Sequence, residues 1–174
     1  MKRITSQISF VFLAILILSS FSYKLSLTKS YHLFKIERSK DANEIFYDVN
    51  INSDNKLELN NPLHIYWLKH TENSRIEPLT WIQKNYAYGI EYLTKTKNSA
   101  EFQFVSYKKR QFTVKKGRYD KFQVFTISNN KEVIVNRIYI QIDGGTFWFP
   151  KISRVELHAQ DAKTNKELIE IINP

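Results

Sequence analysis

The 174-residue chain has no cysteine, which removes disulfides, a cysteine nucleophile, thiolate metal sites and a lipid-modified cysteine at a signal cleavage site. Glycine and proline are scarce, four of each, so the chain is neither a repetitive nor a linker-like polypeptide. Several catalytic signatures are missing as well. GxSxG, HExxH, GxxxxGK[ST] and GxGxxG do not occur, and the only adjacent glycines, Gly144 and Gly145, suit a hairpin turn better than a phosphate loop. No GxW lies near the first strand, where lipocalin-type carriers have one. No cofactor and no metal is expected on these grounds, and an enzyme is the less favoured class.

What is present begins with a leader pattern. Met1, Lys2 and Arg3 precede an eleven-residue apolar run from Ile8 to Leu18, about half the ~20 residues of a spanning helix, and Ser19, Ser20 and Ser22 offer small residues for cleavage. Residues 1–22 are therefore expected to be a signal peptide, or else an uncleaved anchor, and the protein to be exported to periplasm, envelope or medium. Residues 23–174 are expected to be one β-rich domain. Of the formal charge of +9, cleavage removes only Lys2 and Arg3, leaving +7. At 43% hydrophobic residues the mature chain can build a core without a metal or disulfide.

Two-residue alternation dominates that core. Leu33–Arg38, Ile45–Ile51, a short Leu57–Leu59 piece and LHIYWLKH (63–70) read as strands, with SKDAN as the turn between the first two. After residue 89 the pattern resumes in IEYLT, EFQFVSY, FTV, FQVFTI, EVIVNRIYIQI, TFWF, RVELH and LIEII. Lys116–Gly117 and Asn129–Asn130 fall where tight turns would join neighbours. One segment, EPLTWIQKNYAYG, has helical spacing in Leu79, Ile82 and Tyr86, so a short helix is expected near 78–88. The predicted class is all-β, an antiparallel meander forming a sandwich or small barrel.

The clearest unit is Arg137 to Lys151. Ile138, Ile140 and Ile142 alternate with polar residues, and a Gly144–Gly145 loop would set Asp143 opposite Thr146, Gln141 opposite Trp148 and Ile140 opposite Phe149. Its polar face, Arg137, Tyr139, Gln141, Asp143 and Trp148, joins an aromatic to an amide and two opposite charges, chemistry suited to a polar ligand. Phe102, Phe104, Phe122, Phe125, Phe147 and Phe149 read as packing residues.

The blocks IERSKDAN, YWLK, EPLTWIQKNYAYGI, YKKRQF and RIYIQIDGGTFWFPKISRVEL resemble those of the bacterial family known as domain of unknown function 4833. The likeness runs from about Leu33 to Pro174, with IQIDGGTFWFPK its most specific part. It implies an exported single-domain protein and supplies no catalytic residue.

Binding is the function class the residues favour. Between Tyr107 and Lys121, Lys108, Lys109, Arg110, Lys115, Lys116, Arg118 and Lys121 alternate with aromatics, a surface suited to an anionic lipid head group, an envelope polysaccharide or an acidic protein. Nucleic acid is the less accessible partner for an exported chain. The bland alternative is that these cations solvate a hairpin and guard its edge. A hydrolase remains the second class, with carboxylates such as Asp143, Glu37, Asp48 or Glu156 brought together from separate strands, or with His32, His64, His70 or His158. His64 and His70 share a strand face six residues apart, roughly 20 Å, too far to ligate one metal.

Overall fold

A computed structural model describes residues 28–146 and 149–173. The predicted signal segment, Phe147 and Trp148 lie outside the described residues. The strands are β1 (Lys29–Arg38), β2 (Asp41–Ile51), β3 (Leu63–Lys69), β4 (Arg75–Pro78), β5 (Ile90–Lys95), β6 (Ser99–Phe104), β7 (Tyr107–Lys116), β8 (Phe122–Ser128), β9 (Lys131–Gly145), β10 (Pro150–Asp161) and β11 (Glu167–Ile172), with helix α1 (Trp81–Tyr86) between β4 and β5. All of them join one sheet of order β4-β3-β2-β1-β9-β8-β7-β6-β5, with β10 and β11 branching from β9. The fold is all-β, and the sheet curls into a half-barrel.

Strand β9 is the pivot. Along one edge it pairs with β10 from Val133 to Gly145, while the other edge is shared, first by β8 at Lys131–Ile134 and then by β1 at Arg137–Ile140. The β1–β9 pair is parallel, with Ile36 beside Ile138, so the sheet is mixed where a purely antiparallel meander was expected. Tight turns encode only neighbours in sequence, and this pair joins segments some hundred residues apart.

Local chemistry explains most joints. Asn129 and Asn130 adopt φ of 47° and 60°, the left-handed pair of a two-residue hairpin turn, and connect Ser128 to Lys131. The predicted EFQFVSY strand breaks at Val105–Ser106 into β6 and β7, with Phe104 opposite Tyr107. Leu57 makes only an isolated bridge to Ile51, and Leu59 is outside any strand. Helix α1 starts later than Pro78, which ends β4, because Thr80 forms a capping box: its hydroxyl accepts from Gln83 N at 3.3 Å and its N–H donates to Gln83 Oε1 at 2.9 Å.

The β9–β10 turn also differs from its expected register. Both glycines lie within β9, Gly145 pairs with Pro150, Ile142 with Ile152 and Gln141 with Arg154, and the chain reverses over Thr146–Phe149. Only Gly145 has positive φ, +85°, and a Cβ there would sit 2.2 Å from the Phe149 carbonyl oxygen. Thr146 and Phe149 are joined by Thr146 N–H to Phe149 O at 3.1 Å and by Phe149 N–H to Thr146 Oγ1 at 3.1 Å.

The concave side carries one apolar cluster drawn from β1, β2, β3, β6, β7, β8, β9 and β10. Phe34 stacks on Tyr47 with ring centroids 4.4 Å apart, and Phe102 on Phe112 at 5.4 Å, with Phe104 edge-on between the two pairs. Phe102, Phe104, Phe122 and Phe125 pack as expected. Phe149 does not: it stands 83% exposed at the turn the corrected register creates.

Candidate functional site

Because the sheet curls only part-way, its concave side remains open at one end as a groove of about 660 Å³. Ile36, Ile138, Ile140, Ile142, Val155 and Leu157 line its apolar floor, Trp67, Phe104 and Phe112 its aromatic wall, and α1 with the β9–β10 turn its mouth. Alternation dictates this. Inward positions of β9 are the isoleucines, so the residues between them must face the convex side.

At the end of the inward face of β1, following Phe34 and Ile36, stands Arg38. Its guanidinium lies 4.8 Å from the Trp67 ring centroid and 5.7 Å from that of Tyr88, and the two rings meet edge to face at 5.6 Å. Arg38 Nη1 donates to the Tyr88 hydroxyl at 3.0 Å and Nη2 to Asp41. Burial pushes the Tyr88 hydroxyl above its ordinary value in spite of the Arg38 charge, so it stays protonated and keeps its own O–H to donate. Two donors of this stack, Arg38 Nε and Trp67 Nε1, are buried with no acceptor among the described residues. Trp67 is only 4% exposed. Buried donors are almost always satisfied, so this pair stands out: both atoms are closed off from solvent, although the residues that carry them line the groove.

Across the same concavity Arg110 of β7 donates to both carboxylate oxygens of Glu170 on β11, at 2.9 and 2.5 Å, joining two strands that are not neighbours in the sheet. Arg110 lines the groove, and its hydrogen bonds hold the Glu170 carboxyl below the usual range.

The polar face expected to bind ligand lies on the convex side and is largely self-satisfied. Arg137 donates to Glu37 at 3.0 Å and meets His158 at 3.1 Å, Tyr139 donates to Gln141 at 3.1 Å, and Gln141 to Asp143 at 2.8 Å. Trp148 lies outside the described residues. The same face continues across the sheet: Lys35 bridges Glu37 and Glu44 at 2.7 and 2.6 Å, His70 meets Glu44 at 2.7 Å, and Glu156 holds His158 and Arg154. Further along, Asp48 accepts from Tyr66 at 2.9 Å and faces His32 at 3.2 Å; burial, with that hydrogen bond, pushes the Tyr66 hydroxyl up to about 12.

The basic segment is spread rather than clustered. Lys108 pairs with Glu91 at 2.7 Å, Lys115 with Glu132 at 2.5 Å and Lys116 with Asp120 at 2.9 Å, while Arg118 donates to the Lys163 carbonyl. Lys109 and Lys121 are exposed. Of the candidate acid/base groups, Glu37 and Glu156 meet through Arg137 and His158 on the convex face, whereas Asp48 serves Tyr66 and His32 and Asp143 ends the β9 ladder. Among the described residues no three His, Asp or Glu side chains are placed to hold a metal.

Sequence reasoning missed Arg38 as a site residue. Its signal was there: an arginine two positions after Ile36 and four after Phe34 has the inward parity of the strand, where a charge is out of place without a partner. Trp67 lay in a segment read as a strand, but nothing in the sequence set it beside Arg38.

The family model described as Domain of unknown function (DUF4833) matches residues 34–171. No curated protein and no solved structure matches the chain.

Proposed function

The chain belongs to the DUF4833 family, and from that premise we propose that it is an exported, non-catalytic binding domain whose groove takes an amphiphilic anion. The apolar body of the ligand lies along Ile138, Ile140 and Ile142. An acidic head accepts from Arg38 Nε, Trp67 Nε1 and the Tyr88 hydroxyl. Export rests on the Lys2, Arg3 and Ile8 to Leu18 pattern. The observation that carries the binding reading is the pair of unsatisfied buried donors on Arg38 and Trp67, two residues that line the groove. Each costs about 1–3 kcal/mol while it lacks an acceptor, and a carboxylate or phosphate oxygen would remove that cost while its tail fills the cavity.

Charge supports an anion over a neutral ligand. The cations lining the groove are Arg38, Lys40, Lys69 and Arg110; Asp41 answers Arg38, Glu77 answers Lys69 and Glu170 answers Arg110, so Lys40 is the lining cation with no ion pair among the described residues. The alternative, hydrolysis, would draw on Glu37, Arg137, His158 and Glu156 of the convex face, where each group is already hydrogen-bonded to its neighbour and none of them lines the groove.

The test compares dodecanoate with 1-dodecanol as displacers of a fluorescent anilinonaphthalene sulfonate from the groove. Dodecanoate is expected to bind at least roughly tenfold more tightly, the worth of one charge-assisted hydrogen bond. Trp67→Phe and Arg38→Met should each shrink that preference. Equal displacement by acid and alcohol would refute the head-group assignment, and no displacement by either would refute the groove as a binding site.

A further inference from the structure

The groove's mouth is bordered on both sides by apolar side chains left in solvent. From α1 come Trp81, 69% exposed, and Tyr86, 67% exposed, stacked edge to face at 5.7 Å; from the opposite side comes Phe149 of the β9–β10 turn. Neither element buries these rings, although both supply lining residues to the groove, Ile82 and Tyr86 from one and Gly145 and Pro150 from the other. Basic residues are interspersed with the rings. Lys84 lies on α1, Lys151 follows the turn, and Lys40 and Lys69 line the groove itself. The nearby acids are already engaged, Asp41 by Arg38, Glu77 by Lys69 and Arg75, and Asp143 by Gln141, with the charges of Lys40 and Lys151 close to it.

We propose that this rim seats the mouth of the groove on an anionic lipid bilayer, so that ligand passes between membrane and groove without crossing water. Tryptophan and tyrosine rings settle at the level of the head groups, where an apolar body and a polar edge are both accommodated, and lysines beside them reach lipid phosphates. Rings carried on two separate elements with lysines among them fit a deformable, head-group-rich surface. A protein partner would call for one continuous apolar patch with a charge-depleted centre. The inference builds on the groove as a binding site and names where its ligand comes from, but bilayer docking can be measured with the groove empty.

The experiment is co-sedimentation of the processed chain with vesicles of phosphatidylcholine alone and of phosphatidylcholine mixed with phosphatidylglycerol. Retention is expected on the mixed vesicles and to fall as salt rises. The double variant Trp81→Ser/Phe149→Ser should lose roughly tenfold or more in vesicle affinity while binding dodecanoate as before, because neither side chain lines the groove. A second variant, Lys84→Glu/Lys151→Glu, should abolish the preference for phosphatidylglycerol. Vesicle retention unchanged in the first variant, or equal retention on both vesicle types by the unaltered chain, overturns the proposal. A chain that docks on vesicles but binds no dodecanoate would instead refute the groove reading and leave the docking surface standing.

Discussion

The two faces of the sheet around β9 differ in residue type, isoleucines inward and polar side chains outward, and also in how the polar groups on each side are answered. On the convex side Arg137, Tyr139, Gln141 and Asp143 hand hydrogen bonds along the strand and across to Glu37 and His158, so a ladder of polar groups is complete within the protein. On the concave side, a few ångströms away through the sheet, Arg38 Nε and Trp67 Nε1 are buried and unanswered. Exposed cross-strand pairs add tenths of a kcal/mol each and steady the strand register, whereas an unanswered donor in a dry wall is a cost the fold retains.

The widest gap between the faces should appear in stability. Ile138, 7% exposed, belongs to the core cluster, and Ile138→Ala is expected to cost about 2–5 kcal/mol in urea unfolding. Gln141→Ala, next but two along the strand, should cost under about 1 kcal/mol because water replaces its two hydrogen bonds. Comparable losses would mean that the convex ladder holds the sheet together and is no mere surface feature.

Next in size is the indole donor. Trp67→Phe keeps most of the ring that stacks with Arg38 and Tyr88 but removes Nε1–H. Without ligand the substitution should spare the fold any hydrogen-bond loss, since none is made. With dodecanoate present it should lose about 1.5–3 kcal/mol of binding, the range for a hydrogen bond to a charged group. Stability that falls in the empty protein as far as affinity does would show that Nε1 already has a partner, and the contrast between the faces would collapse.

Much of the fold could be read from alternation. The strands around Ile36, Tyr47, Trp67 and Ile138, the Asn129–Asn130 turn and the single helix followed from two-residue and 3.6-residue periods and from residues that tolerate positive φ. The β1–β9 pairing did not, because a parallel contact between distant segments leaves no mark in either segment beyond a matching apolar face. The hairpin register failed for a related reason: two glycines permit a two-residue loop but do not require it, and the hydrogen bond from Phe149 N–H to Thr146 Oγ1 was not written in the pattern. The site was harder still. Period two separates Ile138 from Tyr139 but does not tell which face the sheet will curl around, and the partners that Arg137 finds on β1 and β10 were out of sight.

A pH titration tests the concave side at the Arg110–Glu170 clasp. Arg110 depresses the folded-state value of Glu170, so the pair contributes fully above the unfolded glutamate value of about 4.3 and its contribution is lost as pH falls through the lower folded value. In Arg110→Gln the Glu170 value should rise toward normal, and the acid limb of the melting-temperature profile should flatten over that window. An acid limb identical to that of the unaltered chain would mean that the pair contributes nothing to holding β11 against β7.

The smallest effect is expected from the basic segment, and it decides whether membrane adhesion belongs there or at the groove's mouth. Lys115 with Glu132 and Lys116 with Asp120 are exposed pairs of the kind worth about 0–1 kcal/mol, and each presents no net charge to an approaching surface. Neutralising only the lysines would leave bare carboxylates and change the local field in two ways at once. The cleaner variant removes both members of each pair, Lys115→Gln with Glu132→Gln and Lys116→Gln with Asp120→Asn, at constant total charge. If the pairs serve only their own hairpins, vesicle retention and melting temperature should both be close to those of the unaltered chain, while Lys84→Glu/Lys151→Glu abolishes the lipid preference. Retention that falls in the charge-neutral variant would move the adhesive surface back to the segment from Lys108 to Lys121, because only lysines released from their carboxylates on contact with lipid could account for it.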